Sequence, residues 1–490
     1  MSALPQGSTA PVAAIAAIAA IAALLLTGCA GVAPDGGFGA VAAGTRERIG
    51  AEPRIARDDA AARALQQEVR AMLAGPLDMD GAVRVALLNH PGLQASYWQV
   101  GIAQADLVQA SRLRNPGFGF RRVGGGGDIE IERSITVGLA GALTLPLASR
   151  LEARRFEQVK LEVAYAIERH AAQTRGAWVD AVAAGQALDY ARRVDAAAQA
   201  SADLAGRMAN AGNMNQLELA RQQLFQAETA ATLARAGRQA VDARERLTRL
   251  LGLWGQDTLY TLPAHLPELP AAPADLAEVE RIALAQRLDV RAARLDAEAS
   301  AANLGLTRAT RFVNALEIGA AGKSESGQPH ERGYELAIEL PLFDWGGARN
   351  AKAEAIYMQA VNRVAQAAVT ARSEARAGYL GYRNAWEVAA HYRDTIIPLR
   401  KRISHEVLLR YNGMLASSLE LLADSREQAS AVSHYIDALK EFWTAHAELE
   451  AALGARVDAR PAIPAAQQAH VTSTPGAGTH GTDMHKEHAE

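Results

Sequence analysis

Few side chains in this sequence stand in a pattern that could do chemistry, and the densest group lies near the C-terminal end. His470, His480, His485 and His488 accompany Asp483 and Met484 in a segment rich in Gly, Thr and Pro, and these four are a third of the 12 His. Imidazole and thioether groups suit Cu, Ni or Zn. His480, His485, His488 and Met484 are therefore candidate metal ligands of a tail that either collects metal transiently or carries chance His on disordered chain. Elsewhere the patterns of catalysis fail. Gly124 to Gly127 is followed by Asp128-Ile129-Glu130, without the Lys-Ser/Thr that a phosphate loop needs. His405-Glu406 opens a zinc-protease pattern, but Leu409 stands where the second His belongs. No nucleophile elbow is present. No enzyme, no catalytic residue and no resident cofactor is expected.

Composition narrows the class further. The 490 residues carry 51 Lys+Arg against 54 Asp+Glu, a net charge of -3. A nucleic-acid binder would need a basic excess to displace counterions from phosphates, so none is expected as a partner. Hydrophobic residues at 49% supply enough apolar surface for a core. Ala, the best helix former, makes up roughly a fifth of the chain, which points to long helices with closely approaching faces. The single Cys, Cys29, excludes an internal disulfide and a Cys-based zinc site. It follows an apolar run, Val12 to Leu26, and the small-residue sequence Leu26-Thr27-Gly28. That run has 15 residues, short of the ~20 needed to span a bilayer. The pattern resembles a bacterial lipoprotein signal. This implies removal of residues 1–28 as a signal peptide and a lipid, such as palmitate, on Cys29. Ala30 and Gly31 after it imply sorting to the outer membrane.

The elements that follow come twice. Ala86-Leu87 recurs as Ala283-Leu284, Ala95 as Ala292, Leu107 as Leu304 and Arg114 as Arg311, all at an offset of 197. Leu145-Pro146-Leu147 returns as Leu340-Pro341-Leu342 at 195, and Leu217-Glu218-Leu219 as Leu419-Glu420-Leu421 at 202. Drifting offsets describe loop changes inside a duplication. Between the halves, Pro263, Pro267, Pro270 and Pro273 mark a linker that cannot be helix.

Each half reads as helix, two strands and a helical hairpin. Asp80 to Arg114 is helix-like and is stopped by Asn115-Pro116-Gly117. The first strand pair is expected over about 117–147: Phe118 and Phe120 alternate with Gly, and apolar residues alternate from Ile135 to Leu145. The second is expected over about 314–342, with Leu316, Ile318, Tyr334, Leu336 and Ile338 on one face and Glu317, Glu335 and Glu339 on the other. The segment Lys323 to Arg332 reads as a polar loop. An apolar face backed by carboxylates suits a strand between lipid and a wet lumen. Four strands cannot close a barrel, and open edges are not tolerated in lipid. Three copies would supply twelve.

After each strand pair runs a helical stretch with few breakers, Leu151 to Asn210 and Gly346 to Tyr411, roughly 90 to 100 Å each if continuous. Gly212 and Gly413 mark the turns, and Leu217 to Leu251 and Leu419 to Leu453 return. Seams such as Leu188, Ala191, Val194 and Ala198 suit coiled-coil packing. Pro398 is expected to kink its helix.

This sequence resembles the TolC-type outer-membrane efflux family, lipoprotein branch. The resemblance rests on Asp80 to Pro116, on Asn210-Ala211-Gly212-Asn213 with Leu217 to Gln223, and on Tyr411-Asn412-Gly413 with Ser418 to Leu422. It implies a mixed α and β membrane protein: a trimeric, 12-stranded outer-membrane β-barrel, four strands per chain, continuing into an α-helical coiled-coil tunnel in the periplasm. It also implies a passive channel joined to a periplasmic adaptor and an inner-membrane pump. The organisation expected is a signal peptide (1–28), a lipid-anchored extension (29–79), a first repeat (80–251, hairpin 151–251), a linker (252–274), a second repeat (275–456, hairpin 346–454) and a disordered tail (457–490). Acidic rings at the family's tunnel tip hold the closed state and favour cations. Glu420 matches a ring position, Ala423 takes the place of a second acid, and Asp424 stands beside it. Glu218 is the equivalent of Glu420 in the first repeat. The other reading of these carboxylates is as helix caps. If the tail binds metal, a heavy-metal cation such as copper is the expected cargo. A lipoprotein tether or scaffold without a pore is the alternative class, for which the alternating strands would have no purpose.

Overall fold

The computed structural model describes residues 31–125, 128–310, 316–339 and 343–457. The candidate lipid site Cys29 and the tail residues His480, Met484, His485 and His488 lie outside the described residues. Four short helices lead in: α1 (Phe38–Ile49), α2 (Asp59–Leu73), α3 (Met79–Asn89) and α4 (Pro91–Ala110). Strands β1 (Gly117–Gly125) and β2 (Asp128–Gly138) follow, then the helical pair α5 (Leu139–Asn210) and α6 (Gln216–Leu251). The second repeat has α7 (Val279–Gln286), α8 (Leu288–Thr310), β3 (Leu316–Glu325), β4 (Glu331–Ile338), α9 (Gly347–His391), α10 (Ile397–Asn412) and α11 (Ser418–Leu453).

Several expectations from sequence need correction. The helix over Asp80 to Arg114 is two helices, because His90 precedes Pro91 and takes an extended conformation, φ -69 and ψ 118. His90 then caps α4, its Nδ1 accepting from the Leu93 N–H at 3.3 Å, with Pro91 in the first turn. The strand expected to run to residue 147 ends at Gly138, and helix begins at Leu139 rather than Leu151. The residues after Gly138 satisfy both periods: Leu139, Leu143 and Leu147 repeat every four, which is one helix face. Thr144 settles into that helix by donating to Ala140 O at 2.9 Å. The polar loop expected from Lys323 to Arg332 is shorter, because β3 and β4 pair as far as Lys323 with Glu331.

At the second hairpin tip the residue in the left-handed region is Met414, φ 60, while Gly413 is ordinary at φ -80. Met414, and not the Gly413 expected from sequence, is thus the counterpart of Gly212, φ 77, at the 202-residue offset. Pro398 is accommodated by a π-helical turn, Tyr392–Ile396, immediately before α10. In this widened turn the Ile397 N–H donates to the Tyr392 carbonyl five residues back, directly ahead of the proline.

The sheet order is β1-β2-β3-β4, all antiparallel, so one hairpin from each repeat meets at the centre. The core lies midway along α5 and toward the C-terminal ends of α6, α9 and α11. Trp178, Leu247, Tyr382, Phe442 and Leu449 build one buried cluster, and Phe38, Leu87, Tyr97 and Ile167 build another beneath α1. The linker crosses this belt as an extended strap. Trp386 Nε1 donates to Pro270 O and Trp443 Nε1 to Pro267 O, each at 3.0 Å, and the Ala274 N–H donates to Tyr382 Oη at 3.0 Å. The strap's backbone groups are thus satisfied by side chains where proline forbids a ladder.

The duplication is visible in three dimensions at one joint. Both His90 and Arg287 end a short helix in an extended conformation. Each is met by a left-handed glycine ending a long return helix. A Cβ on Gly252 would fall 2.8 Å from His90 Cα, and one on Gly454 would fall 3.2 Å from Arg287 Cα. Both sites therefore need glycine for close approach as well as for φ.

Candidate functional site

The sheet register sorts its residues into two chemically different faces. One face carries Phe118, Phe120, Ile129, Ile131, Ile135 and Val137 from the first hairpin and Leu316, Ile318, Tyr334, Leu336 and Ile338 from the second. Along β2 this face is the more open one from Arg133 onward. The opposite face carries Glu130, Glu132, Glu317, Glu325, Glu331 and Glu335 with Arg121 and Lys323. Glu317 and Glu335, expected together, do share that face: Glu317 pairs with Ala337 and Gly319 with Glu335. Glu339 follows β4 and is exposed. Toward the hairpin ends the charges are paired, Arg121 to Glu132 at 3.0 Å and Lys323 to Glu130 at 3.3 Å. Edge strands β1 and β4 each have one neighbour in the chain, leaving an unpaired backbone row on either side. Among the described residues no helix is long and apolar enough to cross a membrane.

At the far end of the hairpins the expected carboxylates part company. Glu420 is exposed and forms a capping box: Ser417 Oγ accepts from its N–H, and its Oε2 accepts from the Ser417 N–H, both at 3.2 Å. The Ser-x-x-Glu spacing that predicts this was legible in the sequence. Glu218 occupies the equivalent place behind Asn215, whose Oδ1 accepts the Glu218 N–H at 2.9 Å. Asp424 is only 8% exposed, and its Oδ1 has no hydrogen-bond partner among the described residues. It faces the packed interior of the helix bundle, away from the solvent that surrounds Glu420.

No local pattern in the sequence marks the arginines that lock the central belt. Arg175 donates to Glu450 Oε2 at 2.8 Å with both side chains buried, while Glu450 Oε1 accepts the Val457 N–H at 3.2 Å. Arg48 pairs with Glu168 and donates to the carbonyls of Gln286 and Gly454, both at 2.7 Å, so the N-terminal segment caps two helix ends. Burial lifts the Glu168 carboxyl above its usual range, and Arg48 offsets this only in part. Burial alone would lower Arg287, but its hydrogen bonds to Asp289 and Glu374 hold it above the ordinary value. His90 and His170 pack with ring centroids 4.3 Å apart at a tilt of 44°, and burial lowers the pKa of both. Arg175 and Glu450 are 275 positions apart, Arg48 and Gly454 406, and Arg287 and Glu374 87, so no local spacing reveals these contacts.

No protein family matches the sequence, and no curated protein does. Solved structures do match. CusC, reported in crystal structures that follow folding and transmembrane channel formation, aligns with a TM-score of 0.66 at 18% identity, over 78% of this chain and 92% of that one. The outer-membrane protein VceC of Vibrio cholerae aligns at 0.63 and 17%, over 78% and 97%. The open MtrE outer-membrane channel of Neisseria gonorrhoeae aligns at 0.64 and 18%, over 77% and 89%. The chain has the fold of these outer-membrane channel proteins, the TolC-type fold that its sequence resembles.

Proposed function

We propose that this chain is the outer-membrane channel of a tripartite efflux system, assembled as a homotrimer and conducting passively. The carrying observation is the sheet: an apolar face, a face of paired and unpaired carboxylates, and two open edges on one four-stranded unit. Open edges in lipid must be paired, and three units closing edge to edge give a twelve-stranded barrel. The apolar face then meets lipid, and Glu317, Glu335 and Glu339 line the lumen. The hairpins extend as a tunnel into the periplasm, where an adaptor and an inner-membrane pump would engage them. Lipid on Cys29 would add an anchor. A tether without a pore gives no reason for the two-faced sheet.

Glu420, on the exposed first turn of α11, is the carboxylate placed to meet its copies at a three-fold axis, with Glu218 near it. Asp424, turned inward, contributes little. Like charges around one axis attract cations, so the entrance favours them, which agrees with a heavy-metal cargo handed over or collected by the His tail. Purified protein in planar bilayers should give cation-preferring channels, and Glu420→Gln should lower that preference while Glu317→Gln changes divalent block less. Absence of any conductance from a protein confirmed as trimeric would defeat the channel reading.

A further inference from the structure

Three arginines stand on the wrong face of the sheet. Arg122, Arg133 and Arg332 alternate in register with the apolar residues, opposite the face that holds every carboxylate of the strands. All three are exposed, and none makes an ion pair or side-chain hydrogen bond among the described residues. The contrast with the other face is direct, since there Arg121 and Lys323 are each shared between two carboxylates. The register also gives the three a common place. Arg133 pairs with Gly322, which pairs with Arg332, so the two guanidinium stems flank a glycine in one row. Two strand spacings separate them, about 10 Å, and the missing side chain at Gly322 leaves the gap between them open. Arg122 stands one row nearer the hairpin ends, beside Ile131. From this row toward the helices the face is apolar without interruption: Ile135 and Val137 on β2, Tyr334 to Ile338 on β4.

We infer that Arg133 and Arg332, with Arg122 above them, form a binding site for the phosphate groups of a membrane lipid headgroup, seated over Gly322 on the outer rim of the apolar band. This rests on the reading of the sheet as a barrel wall. In that setting the three cations face lipid rather than water, and no carboxylate of their own face neutralises them. Unpaired arginine on a lipid face is costly at mid-depth and becomes tolerable near the interface, toward which its long stem can reach. Guanidinium binds phosphate through two parallel N–H···O bonds, and two such forks about a headgroup's width apart suit a glycolipid carrying two phosphates better than a single small anion. The helices lie at the opposite end of the strands, so the row belongs to the leaflet on the hairpin side.

The test uses the full-length protein reconstituted in phosphatidylcholine vesicles doped with a bis-phosphorylated acyl-glucosamine disaccharide, or with the same lipid after enzymatic removal of both phosphates. Lipid retained per chain after detergent extraction is read by native mass spectrometry, and channel conductance is recorded from the same vesicles. The phosphorylated lipid should be retained about tenfold better than the dephosphorylated one by the wild type. The double variant Arg133→Gln/Arg332→Gln should lose this preference, and Arg121→Gln, altered on the opposite face, should keep it. Equal retention of the two lipids by the wild type, which needs no variant, overturns the inference. So does an undiminished preference in the double variant. Protein that conducts in both vesicles without lipid preference refutes the phosphate site alone. Protein that neither inserts nor conducts in either refutes the barrel reading, and the site with it.

Discussion

Replacing Glu450 by Gln isolates the charge of the most deeply buried ion pair in the central belt. Arg175 is 6% exposed and Glu450 8%, so neither is screened by solvent. The pair gathers three distant segments: Arg175 on α5, Glu450 on α11 with the Val457 N–H just beyond it, and the Ile49 carbonyl, which Arg175 Nη2 approaches at 3.5 Å. Gln can still accept the Val457 N–H, and what is lost is the partner charge. Asp80 Oδ1, 3.8 Å from Arg175 Nη2 but with its side chain 59% exposed, is too hydrated to replace it. An uncompensated buried guanidinium costs about 3 kcal/mol, which corresponds to roughly a hundredfold in a local opening equilibrium. Amide hydrogen exchange on the assembled protein in detergent reads this directly at Val457 and in the α5 peptide around Trp178. The double variant Arg175→Met/Glu450→Met buries apolar groups instead and should return to within about 1 kcal/mol of wild type. Glu450→Gln exchange within about threefold of wild type would place the pair with exposed ion pairs and refute the reasoning.

Three further expectations follow from the site. Ser417→Ala removes a cap worth about 1 kcal/mol and should speed exchange in the first turn of α11 roughly fivefold, whereas Glu420→Gln preserves the capping box and should leave exchange unchanged. Burial lowers the pKa of His170 and His90 in the folded state, so the unfolded chain binds more protons below the ordinary value of 6.5. Stability on this account is fully present above that value and is lost as pH falls through the folded values. His170→Gln, which can still donate to Leu250 O, should flatten the fall of the thermal midpoint between about pH 7.5 and about pH 5.5, and an unchanged slope would exclude His170 as its source. Cys29→Ser should abolish acyl labelling, and persistent label or an intact N-terminus on mature protein would remove the lipoprotein assignment.

Much that depends on local spacing was legible in the sequence. The 197 and 202 offsets announced two repeats, the prolines announced the strap, and alternation at Leu316 to Ile338 announced a two-faced strand pair, because a residue's face is set by periods of 2 and 3.6 along its own segment. The Ser417 cap was equally readable. Where two periods coincide, as over Leu139 to Leu147, the sequence alone did not choose, and helix begins directly after the last β2–β3 pair, Gly138 with Glu317. The tertiary structure alone decided that Asp424 turns inward while Glu420 stays in water, although they lie one helical turn apart. It alone brought Arg175 to Glu450 and set His90 against Gly252 as Arg287 is set against Gly454. It alone placed Arg133 beside Arg332 across a glycine from a third strand. Contacts of this kind join residues from separate elements, so they exist only once packing has fixed which helix faces and which strand register meet.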